Sequence, residues 1–449
     1  MSRYLTGGFR TLRGEHTETA LTVDGHLPGE LDGLFTQIGP APAGPPRMAR
    51  DGHYPWFMQD GLLCGVRLRG GRAMWFRNRW IRSRRAARSL GVSPATGPRH
   101  FPYDSVNTNV IAHHGLLLAL VESGCLPVEL SATLESRRYT DLGGQLPRGF
   151  AAHPKIDVST GELHLLAYSP LRTWAEYIVL TATGQVSRMD RVDLDGRPLL
   201  HDIALTPGHV VFFDTPVRFH LGAGMAGGFP YRWRDSHQAR IGVLPRGGGP
   251  ARWVAVDPCF LYHLVGAEET TGGGLIVRGL RYERLFDRRG GDPLAGPATL
   301  WEWRVEPGRD FAPARQLDDQ PQELPRADPR RQGLPSRYYY AVTNDPGNDK
   351  YGLLKYDLHR NSAEHRRLDT DQVPGETVFV PAAGSTAEDH GWLVHFRYDA
   401  TRDASDLVVR DARDLDGRPV AVVRLPVRVP VGAHSSWITA AELPGPEIS

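Results

Sequence analysis

The sequence predicts an all-β chain whose short strands close into a ring around one axis, and three observations carry that prediction. Fifty glycines and 36 prolines in 449 residues supply turns for many short strands. Hydrophobic residues, at 40%, fall in short runs with almost no sustained helical period, which narrows the fold to a sandwich, a barrel or a propeller. Four histidines at the edges of β-like runs, His153, His201, His263 and His434, are separated by 48, 62 and 171 residues. The first two intervals approach one propeller blade of roughly 40 to 50 residues plus loops. Innermost strands of different blades face a common axis, so residues remote in the chain can meet there, whereas a sandwich would scatter them. No likeness between blades is visible in the text, so the repeat rests on spacing.

Taken in order, Leu27-Pro28-Gly29-Glu30-Leu31-Asp32-Gly33-Leu34-Phe35 sets turns around a short strand, and a Pro/Gly-rich loop runs to Pro46. Leu62, Cys64, Val66 and Leu68 alternate as a strand, Gly70-Gly71 turns, and Ala73 to Trp75 returns, which makes a hairpin. The same grammar recurs over 109–120, 163–168, 177–180, 210–213, 275–282, 336–342, 353–358, 392–398 and 407–423. Arg79 to Leu90 reads as a short amphipathic helix, and Val217 to Tyr231 as an apolar, Gly-rich loop carrying Phe219, Leu221, Met225 and Phe229. Pro307 to Pro335, rich in arginine and proline, reads as a long surface connection. The organisation expected is one propeller domain over 1–449, with an N-terminal extension at 1–26, the propeller at 27–438 and a tail at 439–449.

Composition excludes several function classes. A formal net charge of +2 demands neither nucleic acid nor an acidic surface as partner. Only Lys155, Lys350 and Lys355 among 53 basic residues are lysines, a skew from which no function follows. Cys64, Cys125 and Cys259 lack paired spacing, which argues against a disulfide framework and for a reducing, cytoplasmic setting. No apolar run approaches the roughly 20 residues that span a bilayer, and the N-terminus lacks a signal-peptide core.

The chemistry centres on Phe150-Ala151-Ala152-His153-Pro154-Lys155-Ile156-Asp157, where a histidine pinned between small residues and a proline stands at a strand end, one way in which a metal ligand is fixed. His201-Asp202-Ile203-Ala204-Leu205, Cys259-Phe260-Leu261-Tyr262-His263 and Gly432-Ala433-His434-Ser435-Ser436-Trp437 repeat the pattern. Four imidazoles without a thiolate suit iron, copper, nickel or zinc, so softness alone leaves the metal open. A closed structural zinc site would typically include cysteine. The remaining histidines read otherwise: His113-His114 as exposed, His395 as structural, and His220 and His237 as solvated or lining an entrance.

Together these motifs resemble the carotenoid cleavage oxygenase family, from about Leu27 to about Ile438. Asn107-Thr108-Asn109-Val110, Arg240-Ile241-Gly242-Val243, Gly375-Glu376-Thr377-Val378-Phe379-Val380-Pro381 and Glu388-Asp389-His390-Gly391-Trp392-Leu393 also read like that family. The resemblance implies a seven-bladed β-propeller whose loops cap an axial metal site. It implies one Fe(II) per subunit on His153, His201, His263 and His434, with positions left open for dioxygen, the co-substrate, and for an alkene. It further implies that Glu122 accepts a hydrogen bond from His201, Glu323 from His263 and Glu376 from His434. Glu122 and Glu376 stand in apolar strands, where an unpaired charge is costly, and Glu323 in what reads as a polar loop. Departures from the family pattern are Gln37-Ile38-Gly39-Pro40, Met58-Gln59 before Asp60-Gly61, Cys64, Gly266 and Ser435-Ser436, none of which removes a ligand.

The activity so implied is cleavage of a carbon–carbon double bond by dioxygen to give two carbonyl products, with no nicotinamide or flavin. The absence of a Gly-rich dinucleotide fingerprint agrees. Stilbene-cleaving relatives typically carry a lysine just before the glutamate that stands here as Glu122. Val121 occupies that position and offers a phenol nothing, so the expected substrate is an apolar polyene, a carotenoid or apocarotenoid. Alternatives are a stilbene-type alkene, or retinoid or partner binding without turnover. A polyene partitions into membranes, so peripheral membrane contact is expected through Trp80 to Leu90 or Phe219 to Phe229, and Phe219, Leu221 and Val121 are the expected substrate-pocket residues.

Overall fold

In the computed structural model, which describes residues 2–100, 104–287, 293–345 and 350–445, the strands form seven antiparallel sheets and one two-stranded ribbon. The sheets are the blades of a seven-bladed β-propeller. Blade 1 holds Gly33–Pro40, Gly61–Arg69, Arg72–Trp80 and, on its inner edge, His434–Thr439. Blades 2, 3 and 4 begin with Asn109–His113, Lys155–Ile156 and Ile203–Leu205. Blades 5 and 6 begin with Phe260–Glu269 and Gln322–Ala327, and blade 7 with Gln372–Pro374 and Val378–Pro381, both paired to Gly391–Asp399. From blade 3 round through blade 7 and His434–Thr439 to blade 2, these inner strands touch their neighbours around the axis. Between blades 2 and 3 the Asn109 side-chain amide donates to Ala152 O at 3.0 Å.

Both ends of the chain close the ring. His434–Thr439 pairs with Gly33–Pro40, setting His434 opposite Ile38, and Thr22–Gly25 adds to Ala421–Arg424 on the outer side of blade 7. Thr17–Glu18 pairs with Arg72–Trp80, so two pieces of the expected extension, Thr17–Glu18 and Thr22–Gly25, are blade strands. Gly39 is required at this seam, because a Cβ there would stand 2.4 Å from Gly432 Cα in the segment leading to His434.

Apolar side chains fill the spaces between blades. Phe35 of blade 1 meets Phe396 of blade 7 with ring centres 5.0 Å apart, Phe213 of blade 4 meets Trp303 of blade 5 at 4.9 Å, and Tyr340 of blade 6 stacks on Phe379 of blade 7 at 5.5 Å. Each fully buried ring of this kind contributes roughly 1.5–3 kcal/mol by leaving water. Outer strands such as Val186–Asp193 and Ser362–Arg367 face solvent and carry few apolar residues, so hydrophobic alternation does not reveal them.

Three expectations are corrected. Pro307 to Pro335 is not a connection alone: it contains Ala314–Asp318, the outer strand of blade 5, and Gln322–Ala327, the inner strand of blade 6. The inner strand is polar because it serves the axis. The expected helix over 79–90 starts only at Arg84, since Arg72–Trp80 is a strand; Ser83 Oγ accepts from Ala86 N–H at 3.1 Å to begin it, and Gly91, at φ 69°, ends it. Val217 to Tyr231 is not a loop but the ribbon Val217–Phe219 with Tyr231–Trp233, joined through the helix Leu221–Met225. Among the described residues no helix is long and apolar enough to cross a membrane.

Ion pairs also join blades. Asp157 of blade 3 pairs with Arg246 of blade 4, which reaches His164 Nε2 at 3.2 Å. Burial alone would raise the Asp157 carboxyl, but hydrogen bonds from Ser159 and the Arg246 pair outweigh it and hold it down at about 2. A depressed carboxyl stabilises the fold above its unfolded value near 3.8, and that contribution, about 2 kcal/mol, disappears as pH falls towards 2. Asp157→Asn is therefore expected to lower the urea midpoint at pH 7 and to flatten the loss of stability between pH 4 and pH 2, both read from equilibrium unfolding.

Candidate metal centre

The four histidines meet on the axis. His153 precedes the inner strand of blade 3, His201 that of blade 4, His263 lies within that of blade 5 and His434 opens that of blade 1. Their candidate ligand nitrogens all lie within 4.8 Å of one another. His153 Nε2 is 3.1 Å from His201 Nε2, and His263 Nε2 is 3.2 Å from His434 Nε2. A metal–nitrogen bond of about 2.1 Å places two nitrogens at right angles about 3.0 Å apart. The spacing therefore fits a single ion. Local irregularity delivers it: strand register shifts on both sides of Leu264, just after His263, and Pro154 ends the turn behind His153.

The outward nitrogens explain the inward ones. His201 Nδ1 is 3.0 Å from Glu122 Oε1, His263 Nδ1 2.6 Å from Glu323 Oε2, and His434 Nδ1 3.0 Å from Glu376 Oε1. A carboxylate acceptor fixes the proton on Nδ1 and leaves the Nε2 lone pair facing the axis. Three such lone pairs, with His153 beside them, would repel unless a cation lay between them, so the donor set fits a metal ion. Among the described residues His153 has no carboxylate of its own. Burial, then the neighbouring imidazoles, hold His153 well below the ordinary histidine value. His434 is lowered to about 4, burial outweighing Glu376. His263 moves the other way: burial would lower it, but the Glu323 carboxylate raises it.

The glutamates come from the three blades that give no histidine. Glu122 follows the second strand of blade 2, Glu323 lies in the inner strand of blade 6 and not in a loop, and Glu376 sits between the two inner segments of blade 7. Ser123 and Leu324, the residues after Glu122 and Glu323, are left-handed, at φ 69° and 59°. Such backbone costs energy in non-glycine residues and turns each carboxylate towards the axis. Glu376 is the best satisfied: Arg326 Nε approaches Oε1 at 2.9 Å, Arg326 Nη2 donates to Oε2 at 3.0 Å and Ser435 N–H to Oε2 at 2.5 Å. Burial opposes its charge, but Arg326 and His434 depress it to about 2.

Several supporting residues escaped the sequence reading. Arg326 holds Glu376 and also donates to Ser435 O at 2.6 Å. Lys155 Nζ pairs with Asp202 Oδ1 at 2.7 Å, tying blade 3 to blade 4, and Asp202 Oδ2 accepts from Leu264 N–H at 2.9 Å. Adjacency was the signal, since Lys155 and Asp202 stand one or two positions from His153 and His201. Two departures from the family pattern gain roles: Gln37 donates to Pro430 O at 2.9 Å, and Ser436 Oγ to Val110 O at 2.7 Å. His395 is buried, as expected of a structural residue, and His114 is exposed. His113 departs from expectation, being half-buried with Nε2 3.0 Å from Thr181 O. His220 accepts from Ala223 N–H at the helix start, and His237 lies 3.5 Å from Asp195 and Asp214.

A cavity of about 610 Å³ opens beside the histidines. Val121, Phe219, Leu221, Phe229, Tyr231 and Tyr262 line it together with His201, His263 and His434. Tyr262 lies against His201 with ring centres 5.1 Å apart and donates to Pro293 O at 2.7 Å. Most of the other surface of the cavity is apolar as well, so it can hold an extended hydrocarbon chain next to a metal ion.

Comparison with known proteins agrees with this geometry. A family model described as RPE65, retinal pigment epithelial membrane protein, matches residues 9–439. The chain is 34% identical to a carotenoid cleavage oxygenase of Mycobacterium tuberculosis over 97% of both chains, and 29% identical to lignostilbene-alpha,beta-dioxygenase isozyme III of Sphingomonas paucimobilis over 98% of both. The crystal structure of Pseudomonas brassicacearum lignostilbene dioxygenase superposes with a TM-score of 0.87 at 26% identity, covering 98% of this chain and 99% of that one. A seven-bladed propeller with four axial histidines, matched along nearly its whole length, belongs to the RPE65/carotenoid cleavage oxygenase family.

Proposed function

We propose that the protein is an iron-dependent dioxygenase that cleaves one carbon–carbon double bond of an apolar polyene, a carotenoid or apocarotenoid, into two carbonyl products. The observation that carries this reading is the convergence of four histidine nitrogens, three of them on residues that line an apolar cavity. His153, His201, His263 and His434 would hold the iron. The chemistry the ion would supply there is activation of dioxygen for scission of an adjacent alkene, one oxygen atom passing to each product. The chain's own residues do the rest. Glu122, Glu323 and Glu376 keep the Nδ1 protons in place and so keep the Nε2 lone pairs available. Tyr262 and Phe229 exclude water and orient the chain of the substrate by packing. No side chain need exchange a proton with the substrate.

Val121 supports the polyene reading, because it lines the cavity where an amine would be needed to engage a phenol. The relative from Mycobacterium tuberculosis supports it too. A stilbene-type substrate is the second reading, favoured by the likeness to the two lignostilbene dioxygenases. Uptake from a membrane rests on Leu221 and Met225, which are exposed on the helix next to cavity-lining Phe219. Trp80 to Leu90 is withdrawn from that role: Trp80 and Ile81 are buried, Trp80 Nε1 donates to Ala41 O at 3.0 Å, and Ala86 and Ala87 face inward.

Five outcomes follow. Purified protein is expected to hold one equivalent of iron, and His153→Ala to lose the iron and dioxygen uptake together, measured by metal analysis and an oxygen electrode. Full iron occupancy without uptake on any alkene would sink the enzyme reading. In a panel of polyenes and stilbenes read by aldehyde product mass, wild type is expected to turn over polyenes, and Val121→Lys to shift the ratio towards phenolic stilbenes by about tenfold or more. Wild type is expected to float with liposomes more than a Phe219→Ser/Leu221→Ser variant; equal flotation would discard the patch.

A further inference from the structure

We infer that residues 3–9 form an end wall of the cavity and set how long a substrate chain fits, an inference that rests on the cavity being the alkene site proposed above. Arg3 and Phe9 line the same cavity as His201, His263 and His434. The segment makes two short turns, Arg3–Leu5 and Gly7–Phe9, and is held mainly by side chains and not by strand pairing. Tyr4 stacks on Trp56 with ring centres 4.6 Å apart, and Phe9 meets the same indole edge-on at 5.5 Å. Trp56 is itself fixed, its Nε1 donating to Pro40 O at 3.1 Å, and Leu294 packs on the cluster from blade 5. Val431 N–H donates to Gly8 O at 2.8 Å, and Val431 also lines the cavity.

Ring contacts say where this wall stands. Val431 lies between the last strand of blade 7 and His434–Thr439 of blade 1, whereas Phe219 and Leu221 belong to the ribbon and helix inserted in blade 4. Yet the insertion of blade 4 reaches over to the connection in blade 1, where Arg50 N–H donates to Ala226 O at 2.8 Å and Phe57 meets Phe229 with ring centres 5.4 Å apart. From Tyr262, beside His201, the rings of Phe57 and Trp56 lead to Phe9, so an extended chain lying along this row from the histidines meets Phe9 at its end. Replacing the benzyl side chain by a methyl there frees the volume of several carbon atoms, and a single methylene in an apolar pocket already changes discrimination by roughly 10- to 200-fold.

The test uses the full chain, purified with its metal, as wild type, Phe9→Ala and Phe9→Trp. Each is titrated with linear all-trans conjugated polyenes of increasing length, and binding is followed by the change in the polyene's own absorption. Phe9→Ala is expected to raise affinity for the longest polyene relative to the shortest by about tenfold, and Phe9→Trp to move the same ratio the opposite way. Ratios that stay put in both variants, or affinities that rise and fall together at all lengths, overturn the inference. If Phe9→Ala fails to fold, the Phe9→Trp ratio decides alone. Binding needs no turnover, so a protein that binds polyenes with this length dependence yet cleaves none defeats the proposed activity and not the wall.

Discussion

Four imidazole lone pairs aimed at one point repel one another, and the architecture is arranged to hold them there. Each of three outward nitrogens is tied to a carboxylate, and each carboxylate must itself be held in a buried setting. The solution divides the work among the blades: four give a histidine and the other three give a glutamate. Arg326 and Ser435 complete the shell around Glu376, where burial is deepest. A histidine cluster built this way resists distortion, because moving any of the three paired imidazoles drags a carboxylate from a different sheet.

The same hub makes ring closure inseparable from the site. His434 is the first residue of the strand that seals blade 1, so the final step of forming the ring also delivers the last imidazole. The close approach at Gly39 and the Gln37 bond to Pro430 fix that strand's entry. Apolar packing between blades, with ties such as Asp157 to Arg246 and Lys155 to Asp202, keeps neighbouring sheets in register around it. Fold stability and metal geometry thus depend on the same contacts.

Above the hub, parts with little sheet structure shape the cavity. The ribbon and helix inserted in blade 4 supply Phe219 and Leu221, the segment before blade 1 supplies Phe9, and Trp56 and Phe57 come from the connection between two strands of blade 1. Aromatic contacts run from Tyr4 through Trp56 and Phe57 to Tyr262 beside His201. Loops are free to vary where strands are not, so the propeller fixes the histidine cluster while these pieces shape the cavity beside it.

The sequence alone carried the all-β class in its turn residues and marked four histidines at strand edges, because such features are written locally; the three glutamates came to notice only through the resemblance to a family. Buried alternation also exposed strands such as Gly61–Arg69 and Gly391–Asp399. Tertiary structure decided what depends on distant partners. Gln322–Ala327 reads as a polar connection until the axis supplies a use for Glu323 and Arg326, and Trp80 reads as an uptake residue until Ala41 accepts its N–H. Thr17–Glu18 and Thr22–Gly25 become blade strands only because Arg72–Trp80 and Ala421–Arg424 offer open edges. A strand edge, a carboxylate or an indole carries no mark of its partner in the local text; the partner is chosen when the ring closes and unmet hydrogen bonds and apolar surface must be satisfied together.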